Sequence, residues 1–301
     1  MRKTILLSCV PVVMLYSCTV LSKSQLKNIS AFATATSSYS FFPGEVVRKS
    51  QELHYNNDIL EASAIPDSAI IIRSLDQAKA EFETGIALSK KMDLSLQLIQ
   101  QYAALLGHLS SDSLADELGE NTQTLCSSLD GSITLFNNAV AKKIPSTVGS
   151  AISQIVRIVG ERIVRNKQAK ALKKFIPAAD TLIQITSENL AIALDSDLKP
   201  LIENYKERFH DDYNKIVFSH PDKIDYNLLR FYVKTNSDFE IVESLRAKCI
   251  SSAQKMALAH RELKNNVLEK KHLGELLRET RDFMADVKNL YQALKSLTPT
   301  T

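Results

Sequence analysis

The 301-residue chain predicts an all-α fold: an elongated bundle of about six to eight helices with antiparallel neighbours. Three observations carry this expectation. Eight glycines and eight prolines are too few for the many turns of an all-β protein of this length. Apolar residues recur by threes and fours along most of the chain, the spacing of one helix face. No strand-like run rises above that helical signal. Hydrophobic residues make up 45% and charged residues 24%, globular values that argue against disorder of the whole chain. A net charge of +3 is too small to imply a nucleic-acid partner.

The elements follow in order. Thr34, Thr36, Ser37, Ser38 and Ser40 make the segment before Pro43 read as a flexible tether, part of which docks through Phe32, Tyr39, Phe41 and Phe42. Pro43-Gly44 opens a helix over 45–63. Pro66-Asp67 starts the next, carried by Ile70, Ile71, Leu75, Ala78, Phe82 and Ile86 towards Leu88 or beyond. From 94 to 111 there is no Asp, Glu, Lys or Arg, yet Gln97, Gln100, Gln101 and His108 interrupt the apolar run. That is a buried bundle helix, not a membrane span. The sharpest 3.6-residue period joins Leu114, Leu118, Leu125, Leu129, Ile133, Phe136 and Val140, and Pro145 stops it. Ile152, Ile155, Val156, Val159 and Ile163 carry a helix that ends near Phe175, before Pro177. A long helical stretch over 178–219 follows, broken near Pro200, with Leu198, Leu201, Tyr205, Phe209 and Ile216 on one face. Val242, Leu245, Cys249, Ser252, Met256 and Leu263 approximate a heptad seam. The last helix presents Leu273, Leu276, Leu277, Met284, Val287, Tyr291 and Leu294.

Ahead of all this stand a basic head, Arg2 and Lys3, and an apolar run over 5–15 interrupted by Pro11. The run falls short of the roughly 20 residues a spanning helix needs and fits a signal-peptide core. Leu15-Tyr16-Ser17-Cys18 closes it. This order resembles the lipobox of the bacterial lipoprotein class, with Tyr16 departing from the small residue usual at that place. The resemblance covers only the leader. It implies cleavage before Cys18, a diacylglyceryl group on the Cys18 sulfur, and attachment to a membrane through that lipid. Thr19, where aspartate would favour the inner membrane, implies the outer membrane, and the lack of an acidic cluster from Thr19 to Lys23 implies a periplasm-facing protein. The chain then divides into a signal peptide (1–17), a lipidated N-terminus and flexible tether (18–43) and a single helical domain (44–298), with possible subdivision near 145 or 221.

If Cys9 leaves with the leader and Cys18 takes lipid, Cys126 and Cys249 are the remaining thiols. They admit two readings: a disulfide in an oxidising compartment, or two small buried hydrophobes.

Two Glu-x-x-His motifs, Glu207/His210 and Glu269/His272, place carboxylate and imidazole on one helix face. Facing inward with Glu188 and Glu240 or Glu243, they would resemble the di-iron or di-manganese centre of the ferritin-like carboxylate proteins. The phase opposes this: Glu207 lies about 200° from Phe209 of the apolar stripe, and Lys270 and Lys271 follow Glu269. Exposed charges, and no cofactor, are therefore expected. His210, Asp211 and Asp212, with His220 and Asp222, read as the polar end of a helix. No phosphate-binding loop, nucleophile elbow, His-Glu-x-x-His or Cys-x-x-Cys occurs.

Between Lys142 and Lys174 there are nine bases and one acid, Glu161. Arg157, Arg162, Arg165, Lys167, Lys170, Lys173 and Lys174 form a candidate strip for an anionic partner. The competing reading pairs it with the acidic face of Asp112, Asp116, Glu117, Glu120 and Asp130. Together these features predict a non-catalytic, lipid-anchored helical scaffold of the cell envelope that meets a protein partner. The alternatives are a membrane-active protein inserting 144–160, and a metal-dependent enzyme built on the Glu-x-x-His pair.

Overall fold

The computed structural model describes residues 21–64, 68–111, 120–159, 165–219, 224–269 and 273–295, and within them every regular element is a helix. The α-helices are α1 (Lys23–Tyr39), α2 (Phe42–Ala64), α3 (Ser68–Ser110), α4 (Glu120–Ala139), α5 (Ser146–Val159), α6 (Arg165–Ile192), α7 (Lys199–Ser219), α8 (Tyr226–Glu269) and α9 (Leu273–Lys295). A π-helical segment, Ala193–Leu198, joins α6 to α7.

From Lys23 to Tyr39 the stretch read as a flexible tether is instead α1. Ser22 caps it with a reciprocal box: the Gln25 amide donates to Ser22 Oγ, and the Ser22 amide donates to Gln25 Oε1. Ile29, Phe32, Thr36 and Tyr39, spaced three, four and three, are all fully buried. Tertiary burial of this face outweighs the weak helix propensity of its serines and threonines.

Other boundaries also move. The helix expected from 67 to Leu88 or beyond and the one expected over 94–111 are one 43-residue helix, because Ser89 to Asp93 contain no breaker. Pro177 does not end its helix. α6 runs through it, since Phe175, Ile176 and Ala179 beside it are fully buried and packing offsets the lost amide donor. The expected break near Pro200 takes the form of the π segment, in which a wider turn precedes the proline. In α9 the buried stripe is Phe283, Val287 and Leu290, while Met284 and Tyr291 face out. Phe283 sets this phase through ring contacts with Phe32 and Tyr39. The seam in α8 stands as expected: Val242, Leu245, Cys249, Ser252, Met256 and Leu263 are all buried.

Side-chain contacts fix the directions. Along α1 and α2, residues 33, 44, 51 and 55 meet α3 at Gly107, Leu96, Gly85 and Phe82, so the pair runs antiparallel to α3. Phe32 meets His260 and the Tyr39 hydroxyl donates to the Cys249 carbonyl, so α1 is antiparallel to α8. Along α6, Asp180 meets Lys264, and Leu194 just beyond the helix meets Arg246, again antiparallel to α8. α2 and α7 are parallel: Gln51 and His54 face Tyr205, and Asn57 faces Asp212. One hydrophobic core extends through these contacts from Leu21 to Leu290. No described helix is long and apolar enough to cross a membrane.

Tyr102 of α3 and His260 of α8 lie side by side. Counting 34 residues back from each reaches Ser68 and Tyr226, the first residues of the two longest helices. Both therefore start at one end of the bundle. At 44 residues, α8 spans about 65 Å. The opposite end gathers the start of α1, the C-terminus of α3, the start of α6 and the C-terminus of α8.

Candidate functional site

The densest polar constellation is buried at the junction of α3, α6 and α8. His260 is wholly buried on the α8 seam, four residues after Met256. Its Nδ1 lies 3.1 Å from Asp180 Oδ1 and its Nε2 2.8 Å from the Tyr102 hydroxyl. Lys264, one turn further along α8, donates to Asp180 Oδ2 at 2.7 Å. Gln184 donates to the Ala257 carbonyl and accepts from Arg261, closing the network towards solvent.

Charge balance assigns the protons. Burial holds the His260 imidazole below its ordinary pKa, neutral at pH 7. Burial alone would raise the Asp180 carboxyl, but hydrogen bonds from His260 and Lys264 outweigh it and keep the group well below the usual carboxylate range. Burial pushes the Tyr102 phenol up, so it stays protonated. The carboxylate only accepts, so Nδ1–H donates to Asp180 and Nε2 accepts from the Tyr102 hydroxyl. The His–Asp pair has the parts of an acid–base couple, but both imidazole nitrogens are occupied and the ring has no solvent exposure. Its action is on packing.

Two further polar joints lock the bundle. The His54 and Tyr205 rings stack at 3.9 Å between α2 and α7, flanked by Arg208 to Asp58 at 3.3 Å and Asn57 to Asp212 at 3.1 Å. Arg246, buried in α8, grips Glu243 with Nε and Nη2 and donates through Nη1 to the Leu194 carbonyl (3.1 Å) and to Asp195 (3.0 Å). That guanidinium holds the π segment. An open groove of ≈ 440 Å³ runs beside Phe41, Gly44, Arg48, Asp93 and Gln97. Arg48 there is tied to Glu45 and Glu52.

Cys18 lies outside the described residues, as do Arg162 and His272. Arg157 lies on α5 and Arg165 and Lys167 on the first turn of α6; Lys170 and Lys174 are exposed and Lys173 is half-buried. The first Glu-x-x-His is not an inward pair. Glu207 is exposed, and His210 Nδ1 is 3.0 Å from the Tyr232 hydroxyl. Glu269 ends α8. Of the supporting carboxylates nominated, Glu188 pairs with Lys142, Glu243 with Arg246, and Glu240 is exposed. Among the described residues no group of three or more His, Cys, Asp and Glu is placed to hold a metal. The disulfide reading is corrected: Cys126 on α4 and Cys249 on α8 are both buried free thiols.

The two ends of the bundle differ in chemistry. At the start of α8 and the end of α7, Phe218, Tyr226, Leu229 and Val233 are exposed, Phe218 by 83%. Ile59, Ile70, Ile72 and Leu75 are exposed around the α2–α3 junction at the same end. The opposite end presents Lys23, Lys27, Lys170 and Lys174. No protein-family model, no curated protein and no solved structure matches this chain.

Proposed function

We propose that the chain is a non-catalytic, lipid-anchored scaffold of the bacterial cell envelope, held on the outer membrane and facing the periplasm. A diacylglyceryl group on Cys18 attaches it to the bilayer, and the helical body holds its far end away from that surface. The observation that supports this best is the opposition of its two ends. α1 begins at one, with Lys23 five positions after Cys18 of the lipobox-like Leu15-Tyr16-Ser17-Cys18, while the exposed Phe218, Tyr226, Leu229 and Val233 lie at the other. Exposed aromatic and aliphatic groups at the spacing i, i+3, i+7 of α8 are the anchors by which one helix meets another protein. Restriction to a surface raises the effective concentration of such a face without any new contact.

Cells fed labelled palmitate test the anchor. The mature protein carries label, begins at residue 18 and loses the label in Cys18→Ala. An unlabelled product, or one with a different N-terminus, overturns it.

A further inference from the structure

The lysines at the α1 end define a surface that the leader alone does not reveal. Lys23 and Lys27 lie one turn apart on α1; Lys170 and Lys174 lie one turn apart on α6. All four are exposed, and none has an acidic partner among the described residues. α1 and α6 are far apart in sequence, but both pack on α3 and α8. Both are antiparallel to α8, which puts their first turns at the same level. Nine residues before Phe32, itself against His260, is Lys23; ten residues before Asp180, itself against Lys264, is Lys170. Projected along α8, both positions fall near its C-terminal end. Gln168 fixes the level independently, donating to the carbonyls of Leu109 and Ser111 at the end of α3. The four ammonium groups therefore ring one end of the bundle.

That end is also where the chain leaves for the leader. Lys23 lies five positions after Cys18, a reach of at most about 18 Å if fully extended. Resting on the lipid-anchor reading, we infer that this lysine end docks on the anionic head groups of the bilayer that carries the acyl chains. Cations held within a Debye length of an anionic surface, about 8–10 Å at physiological salt, are strongly attracted to it. The acyl chains hold the protein to the surface. The lysines orient it, so that the apolar far end points away.

The test is partition of the full chain carrying Cys18→Ala into phosphatidylcholine vesicles with and without phosphatidylglycerol. Measuring the difference between the two vesicle types removes the apolar contribution of the leader, and the lysine variants separate the bundle end from the leader's own Arg2 and Lys3. The chain binds the anionic vesicles more tightly, and the excess vanishes as ionic strength rises from about 0.01 to about 1 M, where the Debye length shrinks from about 30 to about 3 Å. Lys23→Gln, Lys27→Gln, Lys170→Gln and Lys174→Gln each lower the excess about five-fold. Lys234→Gln, at the far end and ion-paired with Asp238, leaves it unchanged. Equal partition into both vesicle types overturns the proposal. So does full binding by the four-lysine variant. Lysine-dependent binding alongside unlabelled palmitate cultures keeps this surface and removes the anchor, so the two failures are distinguishable.

Discussion

The Tyr102 hydroxyl donates to His260 Nε2 at 2.8 Å, joining two helices 158 residues apart in sequence. Tyr102 stacks on Phe175 of α6 with ring centroids 5.5 Å apart, and His260 meets Phe32 of α1. One hydrogen bond therefore sits where four helices converge. A buried bond of this kind contributes about 1 kcal/mol net, but orphaning its partners costs more. The apolar replacement His260→Phe leaves the Tyr102 hydroxyl and Asp180 Oδ1 without their histidine partner. It lowers unfolding free energy by about 2–4 kcal/mol, measured by denaturant titration.

The same histidine makes stability depend on pH. Its folded pKa lies below the ordinary 6.5 because burial disfavours the imidazolium. As pH falls through 6.5, the unfolded chain takes up a proton that the folded chain refuses. The unfolded state then binds more protons, so stability rises with pH and is lost on acidification. Asp180 acts in the same sense at lower pH, below its ordinary 3.8, where the unfolded carboxyl protonates and the folded one stays ionised. Denaturation midpoints measured on either side of pH 6.5 fall with acid in the native chain. In His260→Phe the slope just below pH 6.5 becomes shallower.

Arg246 bears on a different element. Its guanidinium satisfies the Leu194 carbonyl inside the π segment while bridging Glu243 and Asp195. A lysine ammonium cannot present the same planar fork. Arg246→Lys destabilises by about 2 kcal/mol. Hydrogen exchange of the amides in Ala193–Leu198 quickens more than exchange elsewhere in α6 and α7.

Periodicity made most of the bundle legible before any coordinates. The seam from Val242 to Leu263 and the stripe through Leu198, Tyr205 and Phe209 were readable because apolar residues occupy nearly every inward position. α1 was not, because its inward face hides among serines and threonines, although Ile29, Phe32, Thr36 and Tyr39 already carried the helical spacing. Continuation through Pro177 is decided by long-range burial of Phe175 and Ile176, which no local pattern contains. The buried polar centre was missed for the same reason. Asp180, Tyr102 and His260 lie on three helices, and a lone histidine beside Met256 carries no sign of its partners. The signal available was a histidine inside an apolar seam with a lysine four residues on. The basic strip was visible as a charge run, but only the antiparallel packing of α1 and α6 against α8 reveals Lys23 and Lys27 as its continuation.

Three glycines offer a graded test of packing. At Gly131, on the exposed side of α4, an added methyl group meets nothing within 4 Å. Gly131→Ala therefore gains about 1 kcal/mol from lower backbone entropy in the unfolded chain and better helix propensity. At Gly85 the methyl overlaps the buried Gln51 carboxamide, and at Gly149 it overlaps the Asp130 carboxylate. Gly85→Ala must displace a side chain sealed between α2 and α3, at a cost of about 1–3 kcal/mol. Gly149→Ala costs less, because Asp130 is exposed and can turn away. Thermal melts rank the variants Gly131→Ala above native, and native above Gly149→Ala above Gly85→Ala.

The thiols give a last measurement that separates buried packing from redox chemistry. Burial pushes the Cys126 thiol up to about 11 and raises Cys249 further. The thiolate is the reactive species, so at neutral pH neither residue presents a usable nucleophile. Cys249 is also fixed on the α8 seam, where its own carbonyl accepts from Tyr39. A folded sample treated with an aromatic disulfide reagent therefore leaves both thiols unmodified, and both react once denaturant unfolds the chain. A thiol-specific oxidant applied to the folded protein leaves Cys126 and Cys249 unlinked and the intact mass unchanged. Loss of two hydrogens with unchanged electrophoretic monomer size would instead mean that α4 and α8 open far enough for Cys126 to reach Cys249.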